Sequence, residues 1–221
     1  MKYDVKIIKI ENVTPDVKRF VVEKPEGYKF TPGQATSLSI NDGTWKYEER
    51  PFTFTSLNED EFLEFTIKKY PEHGGVTKKL HELKAGDELI MGDPWGAIKY
   101  KGPGIFIAGG AGVTPFIAIF RDLKSRGEVD GNKLIFSNKT SGDVILEDEL
   151  REILGDNAIF TLTIEENSDY ENGRIDEKFL EEHVDNFDGN FYVCGPRGFV
   201  KDILAILRKL GAVAESLVFE K

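Results

Sequence analysis

The 221-residue sequence predicts two domains of different class: an all-β sandwich or barrel, followed by an α/β domain built on a doubly wound parallel sheet. Three observations predict this. Residues 3–69 fall into short strand-like runs cut by regular turns. After Lys101 the rhythm changes to apolar runs that alternate with helix-like stretches. The change is abrupt near Tyr100 to Pro103, which sets the expected domains at 1–101 and 102–221.

The strand-like runs of the first half are Val5–Ile10, Lys18–Val22, Ala35–Ile40, Pro51–Phe54 and Phe62–Ile67. Turn residues separate them at Asn12–Pro15, Pro25–Gly27, Pro32-Gly33, Asn41–Gly43 and Asn58–Asp60. One short helix, about Val76 to Leu83, interrupts the run. In the second half Gly104–Ala108 has the continuous apolar character of a buried parallel strand, and the stretch Thr114–Ser125 reads as a helix. The pair repeats as Leu134–Phe136 with Leu146–Leu154, as Ile159–Ile164 with Glu177–Val184, and as Phe191–Val193 with Phe199–Leu210. Leu217–Phe219 closes the series.

Composition excludes several classes. Apolar residues make up 40% and charged residues 31%, as in ordinary soluble domains. No apolar run approaches the roughly 20 residues that span a bilayer. The opening Met1–Lys6 alternates polar and apolar, so it reads as a first strand and not as a signal peptide, and a cytoplasmic protein is expected. Cys194 is the only cysteine, which excludes a disulfide framework and a four-thiolate iron–sulfur cluster. The histidines, His73, His81 and His183, are too scattered for a zinc motif, so no metal is expected. Redox chemistry, if present, must then come from an organic cofactor. The net charge of −10 lies mostly after residue 100, where 22 acidic residues face 14 basic ones. That balance argues against nucleic-acid binding and reads most simply as solubility.

Four stretches carry chemistry. Gly109-Gly110-Ala111-Gly112-Val113-Thr114-Pro115 lies between a strand and a helix. Glycines there let the backbone approach a diphosphate, and free helix N–H groups face its charge. Pro115 suits the first helical turn. A plain glycine-requiring turn explains the stretch equally well. Arg50-Pro51-Phe52-Thr53 places an arginine before alternating aromatic and hydroxyl residues, a pattern that an ordinary core strand also shows. Gly74-Gly75-Val76-Thr77 marks a helix start suited to phosphate, or simply a threonine cap. Cys194-Gly195-Pro196 ends a strand at the carboxyl edge of the sheet, where open α/β folds bind ligands; a lone cysteine there is also an ordinary buried apolar residue.

Taken together and in order, these stretches resemble the ferredoxin–NADP reductase superfamily, with its flavodoxin reductases and cytochrome b5 reductases. The resemblance spans nearly the whole chain. It implies a six-stranded antiparallel flavin-binding barrel followed by a nucleotide-binding α/β domain, with FAD and NADH as cofactors and NADPH as the alternative donor. On this resemblance Arg50, after which come Pro51 and Phe52, neutralises the flavin diphosphate. Phe52 stacks on the flavin where the family usually has tyrosine, and Thr53 hydrogen-bonds flavin N5. Thr66, Ile67, Lys68 and Tyr70 flank the cofactor, while Gly74, Gly75, Val76 and Thr77 hold phosphate. Gly110, Ala111, Gly112, Thr114 and Pro115 hold the dinucleotide. Cys194, with Gly195 and Pro196, lies beside nicotinamide C4, so Thr53 and Cys194 are the expected catalytic pair. Asn138, in a stretch similar to that of NADH users, meets the nucleotide ribose; Lys139 beside it either pairs with a 2′-phosphate or is a solvated loop charge. Phe219 either covers the flavin or completes a strand. The implied activity is hydride transfer from NAD(P)H to FAD, then electron transfer to a separate acceptor such as flavodoxin, ferredoxin or another small carrier protein. The alternative is a regulatory subunit that binds flavin or nucleotide without turnover.

Overall fold

The computed structural model describes every residue except Pro71, His73, Ala97, Glu215, Ser216, Glu220 and Lys221. His73 and the two residues that follow Phe219 therefore lie outside the described residues. The chain divides into two compact units, Met1–Gly96 and Ala97–Lys221.

The first unit holds β1 (Tyr3–Thr14), β2 (Val17–Glu23), β3 (Ala35–Ile40), β4 (Arg50–Thr53), β5 (Phe62–Lys68) and β6 (Glu88–Met91). All pairings are antiparallel, in the order β4-β3-β6-β1-β2-β5. The two end strands meet through a Phe54–Phe65 bridge and a 2.8 Å bond from the Thr55 N–H to the Glu64 carbonyl, which closes the sheet into a barrel. Closure removes the exposed edges. Register shifts at Ile7/Lys9 and Asn12/Thr14 bend β1, which pairs with β6 through its first residues and with β2 along the rest. The barrel core comes from alternate positions, among them Phe20, Val22, Leu38, Ile40, Phe54 and Phe65.

Two features of this unit differ from the sequence expectation. β6 has only four residues and follows directly on the turn at Lys84–Gly86, too short a run to stand out. Leu89 and Met91 nonetheless fill the core from it. The helix α1 (Val76–Leu80) stops short of Leu83, because the next N–H groups, of Glu82 and Leu83, tighten to bonds with Lys79 and Leu80 three residues back.

The second unit runs β7 (Gly104–Gly109), α2 (Thr114–Arg126), β8 (Lys133–Asn138), α3 (Glu147–Leu154), β9 (Ala158–Leu162), β10 (Glu171–Asn172), α4 (Glu177–His183), β11 (Asn190–Cys194), α5 (Arg197–Lys209) and β12 (Leu217–Phe219). Its sheet is parallel throughout, in the order β10-β9-β8-β7-β11-β12. One face packs Ile107, Ile135 and Val193 against Phe179, Leu180, Ile203, Leu204 and Leu207 of α4 and α5. On the other, Phe106 contacts Phe116 and Phe120 of α2. Tyr192 stacks on Phe106 at 4.2 Å, and its hydroxyl donates to the Gly102 carbonyl while accepting the Lys101 N–H, which ties down the segment entering β7. β10 is polar and two residues long, so no apolar signal announces it.

The chain winds outward from β7 through β8 and β9, then returns to add β11 and β12 on the other side. The strand order therefore reverses between β7 and β11. Ligands bind at such a switch point, outside the carboxyl ends of the strands.

Candidate functional site

In the barrel unit the candidate residues lie on β4, on β5 and at the start of α1. Arg50 opens β4 with an exposed side chain, which donates from Nη1 to the Glu49 carbonyl at 2.7 Å and from Nη2 to Glu48 at 3.3 Å. Pro51 is exposed; Phe52 is half-buried and packs against the barrel core. Thr53 is half-buried opposite Ala35, and its hydroxyl has no hydrogen-bond partner among the described residues. Phe54 then turns fully inward and stacks on Phe30 at 4.2 Å. On β5, Thr66 and Ile67 are buried, and the Ile67 carbonyl accepts from His81 Nε2 at 2.8 Å. Burial pushes the His81 pKa down, and that carbonyl pulls it partly back. The Lys68 ammonium pairs with Asp16 at 2.6 Å.

Gly74 has a left-handed backbone, φ +55, where a side chain would be strained. Gly75 is the N-cap of α1 and, as glycine, has no side chain to bond the first-turn N–H groups. Thr77 does not cap the helix; its hydroxyl oxygen instead accepts the Tyr70 N–H at 3.3 Å.

In the α/β unit the switch point gathers three of the predicted stretches. β7 ends at Gly109, and a 3₁₀ turn over Gly110–Val113 leads into α2. Gly110 is left-handed at φ +52. Gly112 has a different reason to be glycine. A Cβ there would lie 2.4 Å from the Cys194 carbonyl oxygen and 2.5 Å from Gly195 Cα, so the two loops touch backbone to backbone. Phe199, on the first turn of α5, presses on both: a Cβ would sit 3.1 Å from its ring at Gly109 and 2.8 Å at Gly195. Thr114 is buried and donates to the Ala111 carbonyl at 3.1 Å, and Pro115 occupies the first turn of α2. Cys194 is the buried last residue of β11, and Pro196 is the N-cap of α5.

Asn138 ends β8 at the same edge. The residue is only 6% exposed, yet its Nδ2 has no hydrogen-bond partner among the described residues. A buried amide without a partner is costly, and a ligand that accepts its hydrogen bond relieves that cost. Lys139 is exposed. Beyond it Thr140 and Asp143 form a reciprocal capping box. The Ser141 N–H and hydroxyl both donate to Glu165, at 2.8 and 2.9 Å. These bonds, the Ser141 N–H first and then Asn167, hold the Glu165 carboxyl below the usual carboxylate range. Phe219 lies in β12 opposite Val193 and packs on the core beside α5, so within its own unit it completes a strand.

Phe199 and Glu165 escape a reading of the sequence. Phe199 belongs to the apolar stripe of α5 and Glu165 to a charged loop, and neither pattern signals contact with a glycine turn or a serine. The partnerless donors, Asn138 Nδ2 and the Thr53 hydroxyl, fit groups that a dinucleotide and a flavin would satisfy.

Family models match both units: an oxidoreductase FAD-binding domain over residues 4–100 and an oxidoreductase NAD-binding domain over residues 106–204. The chain belongs to the ferredoxin reductase and cytochrome b5 reductase family. Among curated members it is 33% identical to NADH-cytochrome b5 reductase 2 of Lodderomyces elongisporus, over 71% of this chain and 57% of that protein. It is 29% identical to the reductase component of propane 2-monooxygenase from Rhodococcus jostii, over 98% of this chain and 62% of that one. The chain thus spans about three-fifths of the length of these two family members. Among solved structures, the FAD/NAD-binding domain of nitric oxide dioxygenase from Vibrio cholerae superposes with a TM-score of 0.87 at 21% identity, covering 98% of this chain and 97% of that one. Membership makes the barrel an FAD-binding domain and the α/β unit an NAD-binding domain. Among the described residues no helix is long and apolar enough to cross a membrane.

Proposed function

We propose that the chain takes a hydride from NADH onto FAD and passes the electrons to a separate small carrier protein. The observation that carries this reading is the buried Asn138 amide, without a partner at the switch-point edge that also bears Thr114 and Cys194. A chain with an FAD-binding domain and a ligand-seeking donor at its nucleotide edge has the parts for a two-cofactor reductase.

The cofactors supply the redox chemistry, hydride donation from the nicotinamide and acceptance at flavin N5; the protein supplies position. Arg50 meets the FAD diphosphate through its guanidinium fork. The uncapped first turn of α1, with Gly74, Gly75, Val76 and Thr77, adds N–H donors. Phe52 offers its ring face to the flavin, and Thr66, Ile67, Lys68 and Tyr70 line its flank. The Thr53 hydroxyl donates where charge develops. The loop from Gly110 to Pro115 holds the NADH diphosphate on backbone N–H groups. Asn138 donates to a ribose hydroxyl, and Cys194 with Gly195 borders the nicotinamide.

NADH is favoured over NADPH because the Glu165 carboxylate, held charged on Ser141, places negative charge near the expected ribose, where a 2′-phosphate would be repelled. Lys139, an exposed cation, offsets this only in part. The lone Cys194 cannot hold an iron–sulfur cluster, so the carrier's redox centre lies outside these 221 residues. That single cysteine also suits a reducing compartment, the cytoplasm.

The test is anaerobic mixing of the purified, FAD-loaded chain with each nucleotide. The visible flavin band should bleach with both, and faster at equal subsaturating NADH than NADPH. A band that survives both nucleotides ends the proposal. A companion variant, Arg50→Ala, should weaken FAD binding by about ten- to a hundredfold, the loss of a charge-assisted hydrogen bond. Wild-type flavin occupancy after gel filtration of that variant would remove Arg50 from the role.

A further inference from the structure

The barrel unit contains a buried carboxylate that the proposed chemistry does not use. β5 alternates strictly: Leu63, Phe65 and Ile67 fill the barrel core at 0%, 0% and 1% exposure. Glu64 and Thr66 therefore point to its outer side, yet they are only 5% and 6% exposed. A charge so buried is unusual and must be compensated.

Its partners are specific. Thr55 Oγ1 donates to Glu64 Oε1 at 2.8 Å, the Glu64 N–H donates to Ser56 Oγ at 2.9 Å, and the Thr55 N–H donates to the Glu64 carbonyl at 2.8 Å. Thr55 Oγ1 also lies 3.3 Å from Thr66 Oγ1. Arg19 Nη1 stands 3.8 Å from the other carboxylate oxygen and shares its charge with Glu11. One residue thus grips two successive residues of the segment that continues β4.

We propose that Glu64 is a positioning residue for the flavin: its carboxylate fixes Thr55, and through Thr55 sets the placement of Thr53 relative to Thr66 and Lys68. The proposal rests on the reading that Thr53, Thr66 and Lys68 face FAD. Closing the barrel does not require a charge. The Phe54–Phe65 bridge and the backbone bond already do that, and a well-packed apolar residue commonly replaces a buried ion without loss. What the carboxylate adds is direction. It accepts from one hydroxyl on the strand that bears Thr53 and faces a guanidinium on the side away from it. Thr53 lies two residues before Thr55 on one strand, and Thr66 lies two residues after Glu64 on the other, so the clamp sits between the two sets of proposed FAD contacts.

Two variants test it. Glu64→Gln keeps the size and an acceptor oxygen but removes the charge; Thr55→Val keeps the shape but removes the donor. Each should raise the FAD Kd about tenfold, measured by quenching of flavin fluorescence. Each should also shift the visible band of bound flavin and lower kcat for flavin reduction without changing the KM for NADH. Thr55→Ser restores the hydroxyl and should restore all three. A Glu64→Gln protein with wild-type Kd, flavin spectrum and kcat overturns the proposal. If that variant does not fold, the Thr55 pair decides: Thr55→Val indistinguishable from Thr55→Ser in Kd and spectrum overturns it equally. A wild-type chain that takes up no FAD overturns the FAD reading itself, a result separate from any of these.

Discussion

Gly112→Ala should sharply weaken saturable reduction by NADH while leaving FAD bound. The added methyl would lie 2.4 Å from the Cys194 carbonyl oxygen and 2.5 Å from Gly195 Cα, where real Cβ contacts do not occur. These are backbone atoms of the last residue of β11, which pairs with Ala108 of β7, and of the glycine after it, so no rotamer change relieves the clash. Either the loop after β7 lifts or the Cys194-Gly195 peptide is driven outward. Overpacking of this kind costs about 1–3 kcal/mol, which, if it falls on the nucleotide-bound form, is about five- to 150-fold in NADH affinity. The FAD-binding residues belong to the other domain and are untouched. The measurement is the dependence of flavin bleaching on NADH concentration, beside the flavin absorbance per chain. A wild-type saturation curve would show that the loop tolerates a side chain, and that its glycine does not mark the nucleotide's seat.

Thr53→Val should leave FAD in place and slow its reduction by about a hundred- to a thousandfold. Valine reproduces the shape of threonine, and the hydroxyl that it removes bonds nothing among the described residues, so the substitution leaves no group unpaired in the protein. Any effect on rate then reports what that hydroxyl does to the cofactor. A donor aimed at an atom where charge develops is worth roughly 2.7–4 kcal/mol. Stopped-flow bleaching at saturating NADH separates this step from binding. A rate within a factor of two of wild type would mean that the hydroxyl points away from the reacting atom, and would reassign Thr53 to packing.

The two variants bracket what the sequence makes legible. Gly112 is conspicuous because a glycine-rich turn between an apolar strand and a helix suits a diphosphate as well as a plain tight turn; what cannot be seen in advance is that its neighbour is the Cys194 carbonyl, some eighty residues along the chain. The change from β to α/β is legible because period-two alternation and continuous apolar runs are different local signals. β6 and β10 are hidden for opposite reasons. One is apolar but too short to show a period, and the other is polar and held by the bonds of Thr161 and Leu162 with Gly173. Glu64 reads as an ordinary outward-facing residue of an alternating strand, and only the folded neighbourhood of Thr55 and Arg19 shows it to be buried. Glu165 and Phe199 are silent in the same way. Contacts made across the fold are not encoded in spacing.

Where the loops after β7 and β11 meet, main chain lies on main chain at Gly112. Gly109, Gly112 and Gly195 contribute no side chains there, and the Phe199 ring presses on the first and last of them. Such a junction is intolerant of added bulk. On the proposed reading, donor preference would be set at Asn138, Lys139 and Glu165, outside this junction. A lineage would then exchange one nicotinamide donor for another by a few substitutions there, without rebuilding the glycine contact.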